Sequence, residues 1–214
     1  MKILLVTEFF PDSRQVFTGG VAARTWFIVN QLESKHHLQI ISRSSGQAPA
    51  TFLSMIGRLA FIITAVIKGL TFDPDIVEGS NVVCYLPAWV IARFKKIPAV
   101  AWVPDVLGPD WRHFGITGWF GQLLEWFSLK LPWDHYLALS HQTQIKLLAL
   151  GIKPEKITIT YPGINLKEFN FPVVKRRLPT LCVIARLVSY KQVDHALDLL
   201  YQLKPQLPQA RLLI

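Results

Sequence analysis

The sequence predicts an α/β fold built on a mainly parallel sheet. Short apolar runs typical of buried strands alternate with longer segments whose apolar residues have helical spacing. This alternation is typical of parallel sheets that helices cover on both faces. It stops between residues 162 and 179, where Pro, Gly, Lys and Arg occur without any period, and it then begins again. A second α/β unit is therefore expected after the first.

Six strands and five helices are predicted before this interruption. The predicted strands span residues 2–7, 38–42, 76–79, 99–103, 136–139 and 157–160. Four of the predicted helices span residues 20–32, 52–70, 82–94 and 118–130. The fifth begins after Ser140, a typical N-cap residue, and ends at Gly151. Pro74 ends the second helix, because the residue before a proline is displaced from helical geometry.

The chain therefore divides into a first domain at 1–161, a linker at 162–179 and the start of a second domain at 180–214. The last part contains a predicted strand at 181–184, a helix at 193–203 and a strand at 210–214. A single βαβ unit cannot bury both faces of its sheet. We therefore expect the second domain to be truncated.

Composition restricts the function classes without choosing one. The chain is 51% hydrophobic and 17% charged, which indicates a folded protein. Its net charge of +9 suits phosphate-bearing ligands, nucleic acid or an anionic membrane surface. Aromatic residues do not alternate with basic residues along a stripe, so we do not expect nucleic acid as a binding partner. Cys84 and Cys182 are expected to be buried in a reducing compartment, and no His and Cys spacing predicts a metal site.

Two segments have a bearing on membrane contact. Arg58 and Lys68 interrupt the apolar segment 52–70, which predicts a buried or interfacial helix instead of a membrane span. The aromatic residues of segment 119–131 suit a membrane interface or, equally, a helix packed in the core.

Three loops that follow strands are candidate sites, since ligands of open α/β sheets bind beyond the carboxyl ends of the strands. The first loop runs from Glu8 to the paired glycines Gly19 and Gly20 at a helix start. Backbone N–H groups there can approach a phosphate. The alternative is a turn that only connects the strand to the helix.

The second loop contains Asp105, Asp110 and Trp111. A carboxylate at this position can bind sugar hydroxyls and can orient or deprotonate an acceptor hydroxyl. We favour this role for Asp105, with a helix cap as the alternative, and we interpret Asp110 as a turn residue. The third loop places Arg186 and Lys191 beside a helix start, where two cations can bind a diphosphate. The alternative is an ordinary basic loop.

The order and spacing of several short motifs resemble glycosyltransferase family 4 over essentially the whole chain. These motifs are Gly19-Gly20, Asp75-Ile76-Val77-Glu78, Ala138-Leu139-Ser140, Tyr161-Pro162-Gly163-Ile164-Asn165 with Phe169, and Arg186…Lys191 with Asp194 and Leu197. Glu78 stands where the family usually has His. Pro104 and Asp105 stand where the family often has His, and Ala185 and Gln192 replace usual glycines.

The resemblance implies a GT-B fold of two Rossmann-like domains and transfer of a sugar from a nucleotide-sugar with retention of configuration. It implies no metal and no cofactor beyond the nucleotide-sugar. Arg186 and Lys191 would bind the donor diphosphate, together with Gly19 and Gly20. Glu8 and Trp111 are expected on the acceptor side, with Asp105 as the catalytic candidate. The Glu-x7-Glu segment that the family uses for the donor is absent from these residues, so we expect no transfer by the isolated chain.

The acceptor is expected to be a glycan, polysaccharide or lipid-linked molecule. The protein is expected in the cytoplasm, with the inner face of the membrane as an alternative. Two other functions stay open. One is a non-catalytic remnant or split subunit, which binds sugar or scaffolds a partner chain that supplies the rest of the donor domain. The other is an NADP-dependent oxidoreductase. Ser42-Arg43-Ser44 suits a 2′-phosphate, but GxGxxG is absent after the first strand.

Overall fold

The computed structural model describes residues 1–11, 20–44, 52–163, 166, 177–185, 187 and 191–214. The chain divides into two compact units, Met1–Gly163 and Ile164–Ile214. The strands of the first unit are β1 (Lys2–Phe9), β2 (His37–Ser44), β3 (Ile76–Gly79), β4 (Ala99–Val103), β5 (His135–Ala138) and β6 (Ile157–Ile159). Its helices are α1 (Gly20–Leu32), α2 (Phe52–Leu70), α3 (Val82–Lys95), α4 (Gly115–Lys130) and α5 (His141–Ala149).

The six strands form one parallel sheet in the order β2-β1-β3-β4-β5-β6. The order reverses between β1 and β3, which is where ligands of doubly wound sheets bind. The central strand β1 is apolar on both sides because both of its faces are covered: Leu4, Leu5 and Val6 are at most 1% exposed. Helices α2, α3, α4 and α5 contribute to one core with alternate residues of the strands.

Helix α3 packs closely against β3, the strand that precedes it. A Cβ atom added to Gly79 would lie 3.0 Å from the Cys84 carbonyl oxygen and 3.1 Å from the Ala88 Cβ. Glycine therefore sets the approach of α3 to the sheet. The helix continues through Pro87, as its apolar spacing predicted.

The buried aromatic residues of the core satisfy their polar atoms through backbone carbonyl oxygens. The Trp133 indole donates to the Ser128 oxygen at 2.8 Å, and the Tyr136 hydroxyl donates to the Leu129 oxygen at 2.7 Å. The first bond joins α4 to the segment before β5, and the second joins α4 to β5 itself. They fix the position of α4 on the sheet.

The second unit contains β7 (Thr180–Cys182), α6 (Asp194–Leu203) and β8 (Arg211–Leu213), with β7 and β8 paired in parallel. This is the predicted βαβ arrangement. Cys84 is fully buried as expected, but Cys182 is exposed, so that prediction was wrong for Cys182. An edge position in a two-stranded sheet leaves its side chain uncovered.

Candidate functional site

Glu8 joins four elements at the carboxyl edge of the sheet. Its carboxylate is on β1 and the residue is 5% exposed. Arg58 of α2 donates from Nε to Glu8 Oε1 at 2.7 Å, and Arg43 Nη2 of β2 lies 3.2 Å from the same oxygen. Asn81, just before α3, donates from Nδ2 to Glu8 Oε2 at 3.3 Å. The expected acceptor-binding carboxylate is therefore engaged within the protein.

The same cluster contains buried polar atoms that lack a hydrogen bond among the described residues. These are Arg43 Nε and Nη2 and Asn81 Oδ1. Arg43 Nη2 is close to Glu8 but is not aligned for a hydrogen bond. Among the described residues, the guanidinium groups of Arg43 and Arg58 both face the Glu8 carboxylate. Donors of this kind suit an anionic or hydroxyl-rich ligand group.

A second ion pair lies beside this cluster and connects α1 to the sheet. Arg24 of α1 forms a bidentate ion pair with the Glu78 carboxylate of β3, in which the distance from Arg24 Nη2 to Glu78 Oε2 is 3.2 Å. Ser80 donates to Glu78 Oε1 at 3.1 Å, and the Arg24 guanidinium carbon lies 4.4 Å from the centre of the Trp102 ring. Glu78 stands where the family usually has His, and here its carboxylate neutralises Arg24.

Asp105 follows β4 and faces α5. Its Oδ1 accepts a hydrogen bond from Lys146 Nζ at 2.7 Å and one from the Val106 backbone N–H at 2.8 Å. The carboxylate side chain is 51% exposed, so solvent and ligands can reach it. Lys146 also donates to the Val106 carbonyl oxygen at 2.7 Å, which fixes the cation beside the carboxylate.

Glu125 supports this loop from α4. Its carboxylate accepts hydrogen bonds from the backbone N–H groups of Leu107 at 3.1 Å and Gly108 at 2.8 Å. Gly108 has a φ of +52°, a conformation that glycine adopts without strain. Burial raises the pKa of Glu125, and the two backbone hydrogen bonds lower it by a smaller amount. Glu125 thus holds the segment that follows Asp105.

Trp111 lies in a 3-10 turn, Gly108–Phe114, between β4 and α4. A Cβ atom at Gly121 would lie 2.6 Å from the Trp111 ring, so the indole packs directly on the α4 backbone. The Phe114 ring is 5.8 Å away. The predicted acceptor-binding residue therefore packs against α4 in this structure.

The donor-side predictions fall partly outside the described residues. Gly19 and Arg186 both lie outside them, so their structure is not described. Gly20 begins α1, and no atom of the described residues lies within 4 Å of a Cβ added to it. Lys191 lies in the second unit three residues before α6 and is exposed. No group of three or more metal-ligating side chains occurs among the described residues.

The sequence patterns gave no role to Arg24, singled out Arg43 only for the NADP alternative and Arg58 only as an interruption of an apolar segment. Each pairs with a carboxylate at least 35 residues away in sequence. The residues of the pairs lie in separate strands and helices. Their convergence depends on the strand order, which no local motif reports.

Comparison with known proteins shows the family. The sequence model of Glycosyltransferase Family 4 matches residues 18–168, which is more than half of the chain. The chain belongs to Glycosyltransferase Family 4, as its motifs predicted. Among curated proteins, no sequence matches the chain.

Solved structures show the fold. The HepE protein of Anabaena in complex with UDP is 12% identical, with a TM-score of 0.60, and the match covers 100% of this chain and 69% of that one. The galactosyltransferase WaaB of the lipopolysaccharide outer core is 16% identical, with a TM-score of 0.60, covering 92% and 57%. The UDP-GlcNAc 2-epimerase of Methanocaldococcus jannaschii is 15% identical, with a TM-score of 0.53, covering 100% and 66%. The predicted α/β, Rossmann-like architecture of GT-B proteins is confirmed.

Proposed function

We propose that the chain is the acceptor-side part of a retaining glycosyltransferase that takes its sugar from a nucleotide-sugar. The match of residues 18–168 to Glycosyltransferase Family 4 carries this proposal. The matched segment includes most of the six-stranded sheet and every described residue of the candidate site except Glu8 and Lys191. The HepE structures contain UDP, UDP and glucose, or UDP-glucose, which supports a uridine diphosphate sugar as the donor to test first.

The roles of individual residues are part of the proposal. Arg186 and Lys191 bind the donor diphosphate and stabilise the charge that develops on it as the sugar leaves. Gly19 and Gly20 bring backbone N–H groups to the same phosphates. Asp105 orients the acceptor hydroxyl, supported by its exposure and by the neighbouring Lys146 cation. No metal is required, since the two cations take the role that a divalent ion would have.

Glu8 and Trp111 have revised places in this scheme. The Glu8 carboxylate is held by Arg58 and Asn81, so we propose that it positions these groups and Arg43 at the acceptor side. Trp111 supports the loop after Asp105 by packing on α4. A glycan, a polysaccharide or a lipid-linked sugar is the proposed acceptor class. A lipid-linked acceptor would place the enzyme at the inner face of the membrane.

A sugar-nucleotide epimerase is the second candidate, because several fold relatives are UDP-GlcNAc 2-epimerases. This likeness concerns the fold alone. The two functions differ in their products: a transferase releases UDP and forms a glycoside, whereas an epimerase returns the nucleotide-sugar with one inverted centre. The family match favours the transferase.

The test incubates the intact product of the gene with UDP-glucose, UDP-galactose or UDP-GlcNAc, with and without glycan and lipid-linked acceptors. Proton NMR follows UDP release and the anomeric configuration of the product. The proposal expects acceptor-dependent UDP release and the donor's configuration in the glycoside. Inversion would refute the retaining mechanism, and an epimerised nucleotide-sugar without glycoside would refute the transferase. We expect the isolated 214-residue chain to transfer no sugar.

A further inference from the structure

Helices α2, α3 and α4 lie side by side on one face of the first unit. Helix α3 contacts α2 on one side and α4 on the other, and all three bury residues in the same core. Because each helix connects two parallel strands, all three run in the same direction, opposite to the strands. Their outward surfaces therefore form one layer, parallel to the sheet.

The outward surface of α2 is apolar along its length. Its exposed large apolar residues recur at intervals of three or four, which places them on one stripe: Ile56, Leu59, Ile63, Ile67 and Leu70. Ile63 and Ile67 are more than 60% exposed. A soluble surface helix normally carries charged residues on this side, so the stripe needs an explanation.

The outward surface of α4 is also apolar, and here aromatic residues dominate. The exposed large apolar residues of this helix are Ile116, Trp119, Phe120, Leu123, Trp126 and Phe127. Phe94 of α3 lies between the two helices in the layer and is 73% exposed. The exposed apolar residues of α2, α3 and α4 named here are called the apolar face below. The sequence of α4 suited either a helix packed in the core or a helix at a membrane interface. The exposure of its aromatic residues favours the membrane interface.

The charges around the apolar face have one sign. Glu125 is the single acidic residue within the three helices, and it is buried. Basic residues occupy the last turns, with Lys68 on α2, Arg93 and Lys95 on α3, and Lys130 on α4. Because the helices run in the same direction, these cations lie along one border of the face. Asp134 neutralises Arg93 at 2.6 Å, and the other cations have no such acid on the three helices.

We propose that the apolar face docks onto the surface of a membrane that contains anionic lipids. Trp side chains favour the level of the lipid headgroups, and basic residues beside an apolar helix surface attract anionic headgroups. No described helix is both long and apolar enough to cross a bilayer. A second copy fits less well, because the three helices carry no exposed acidic residue that could pair with the basic border of another copy.

The test measures binding of the protein to sedimenting vesicles, without nucleotide-sugar. Vesicles of phosphatidylcholine alone are compared with vesicles that also contain phosphatidylglycerol. Trp126→Glu on α4 and Ile63→Glu on α2 each place an acid on the apolar face at a half-exposed position. Tyr201→Glu, an 82% exposed aromatic residue on α6 of the second unit, is the matched control. Circular dichroism establishes that each variant folds.

We expect binding to the anionic vesicles that weakens with added salt, and a loss of about tenfold in either face variant. The control is expected to bind as the wild type does. Equal binding by all four proteins would overturn the proposal. A concentration-dependent dimer that Ile63→Glu dissociates, with no vesicle binding, would overturn it in favour of a second copy. Because the assay contains no sugar donor, its result is independent of glycosyl transfer.

Discussion

Glu8 lies at the carboxyl end of the central strand, where its carboxylate contacts two guanidinium groups. Removal of this carboxylate takes away a negative charge that Arg43 and Arg58 both contact in a largely buried place. Glu8 can therefore have two different roles. One is ligand binding, which affects activity, and the other is charge compensation, which affects folding.

We predict that Glu8→Ala lowers the free energy of unfolding by about 3–5 kcal/mol, as expected when one partner of a buried ion pair is removed. Glu33→Ala, an exposed carboxylate after α1, is the control and should change stability by less than about 0.5 kcal/mol. Urea denaturation of both variants measures the difference. A Glu8→Ala protein as stable as the control would show that the cluster is not structural.

The raised pKa of Glu125 leads us to predict a specific pH dependence of the protein's stability. Its pKa is raised in the folded protein because burial disfavours the charged carboxylate. The folded state therefore binds protons more tightly than the unfolded state. The resulting contribution to the free energy of unfolding is fully present below the ordinary pKa of glutamate. It is lost as the pH rises through the raised pKa of Glu125 in the folded protein. Between these two values, the stability of the wild type falls as the pH increases.

Glu125→Gln cannot ionise, so this part of the slope is expected to disappear. The variant should also lose one of the two loop hydrogen bonds at neutral pH, since an amide presents one acceptor oxygen. Urea unfolding of the wild type and the variant at a series of pH values between 4 and 8 compares the two slopes. Identical slopes would contradict the assignment of Glu125 as a titrating group.

At the scale of elements, the strands and helices of the first unit followed from apolar spacing. Predicted bounds agree with the observed ones within two residues for most elements, and α1, α2, β3 and β4 agree at both ends. Helix α4 begins at Gly115, three residues before the prediction, because a 3-10 turn brings Trp111 and Phe114 onto it. Ser140 caps α5 as predicted, accepting from the Thr143 N–H at 3.1 Å.

What the sequence could not predict was the pairing between elements. Arg24, Arg43 and Arg58 are ordinary basic residues until the strand order brings them to Glu78 and Glu8. The same is true of the contact between the Trp111 indole and Gly121, while the acceptor-binding role of Trp111 stays a prediction. Contacts of this kind depend on the register of distant segments. Local periodicity carries no information about them.

The contact between α3 and β3 gives a prediction at the element scale. Gly79→Ala places a methyl group within 3.1 Å of α3 atoms, which should destabilise the protein by about 1–3 kcal/mol through overpacking. Gly57→Ala is the matched control in α2, where the nearest atom is 3.9 Å away. It should stabilise by about 0.8–1 kcal/mol, because alanine favours helix over glycine. Thermal or urea unfolding measures the change in stability of each variant. A stabilising effect of Gly79→Ala would contradict the described packing.

At the scale of the whole molecule, the chain spans 57% to 69% of the length of the HepE and WaaB structures. The six-stranded sheet is the larger part of this chain, and the family match lies mainly on it. The proposed donor residues Arg186 and Lys191 belong to the second unit. In the proposed function, the first unit therefore supplies the acceptor-side chemistry and the second unit binds the donor.

The central claim is that a nucleotide-sugar is the donor and that Arg186 binds its diphosphate. The most direct measurement is acceptor-dependent UDP release by the intact gene product, comparing wild type, Arg186→Ala and the exposed control Arg177→Ala. We predict a fall of about 10²–10³ in kcat for Arg186→Ala, typical of losing one group that stabilises developing charge, with near wild-type turnover in the control. Wild-type turnover in Arg186→Ala, or no turnover with any nucleotide-sugar, would contradict the account.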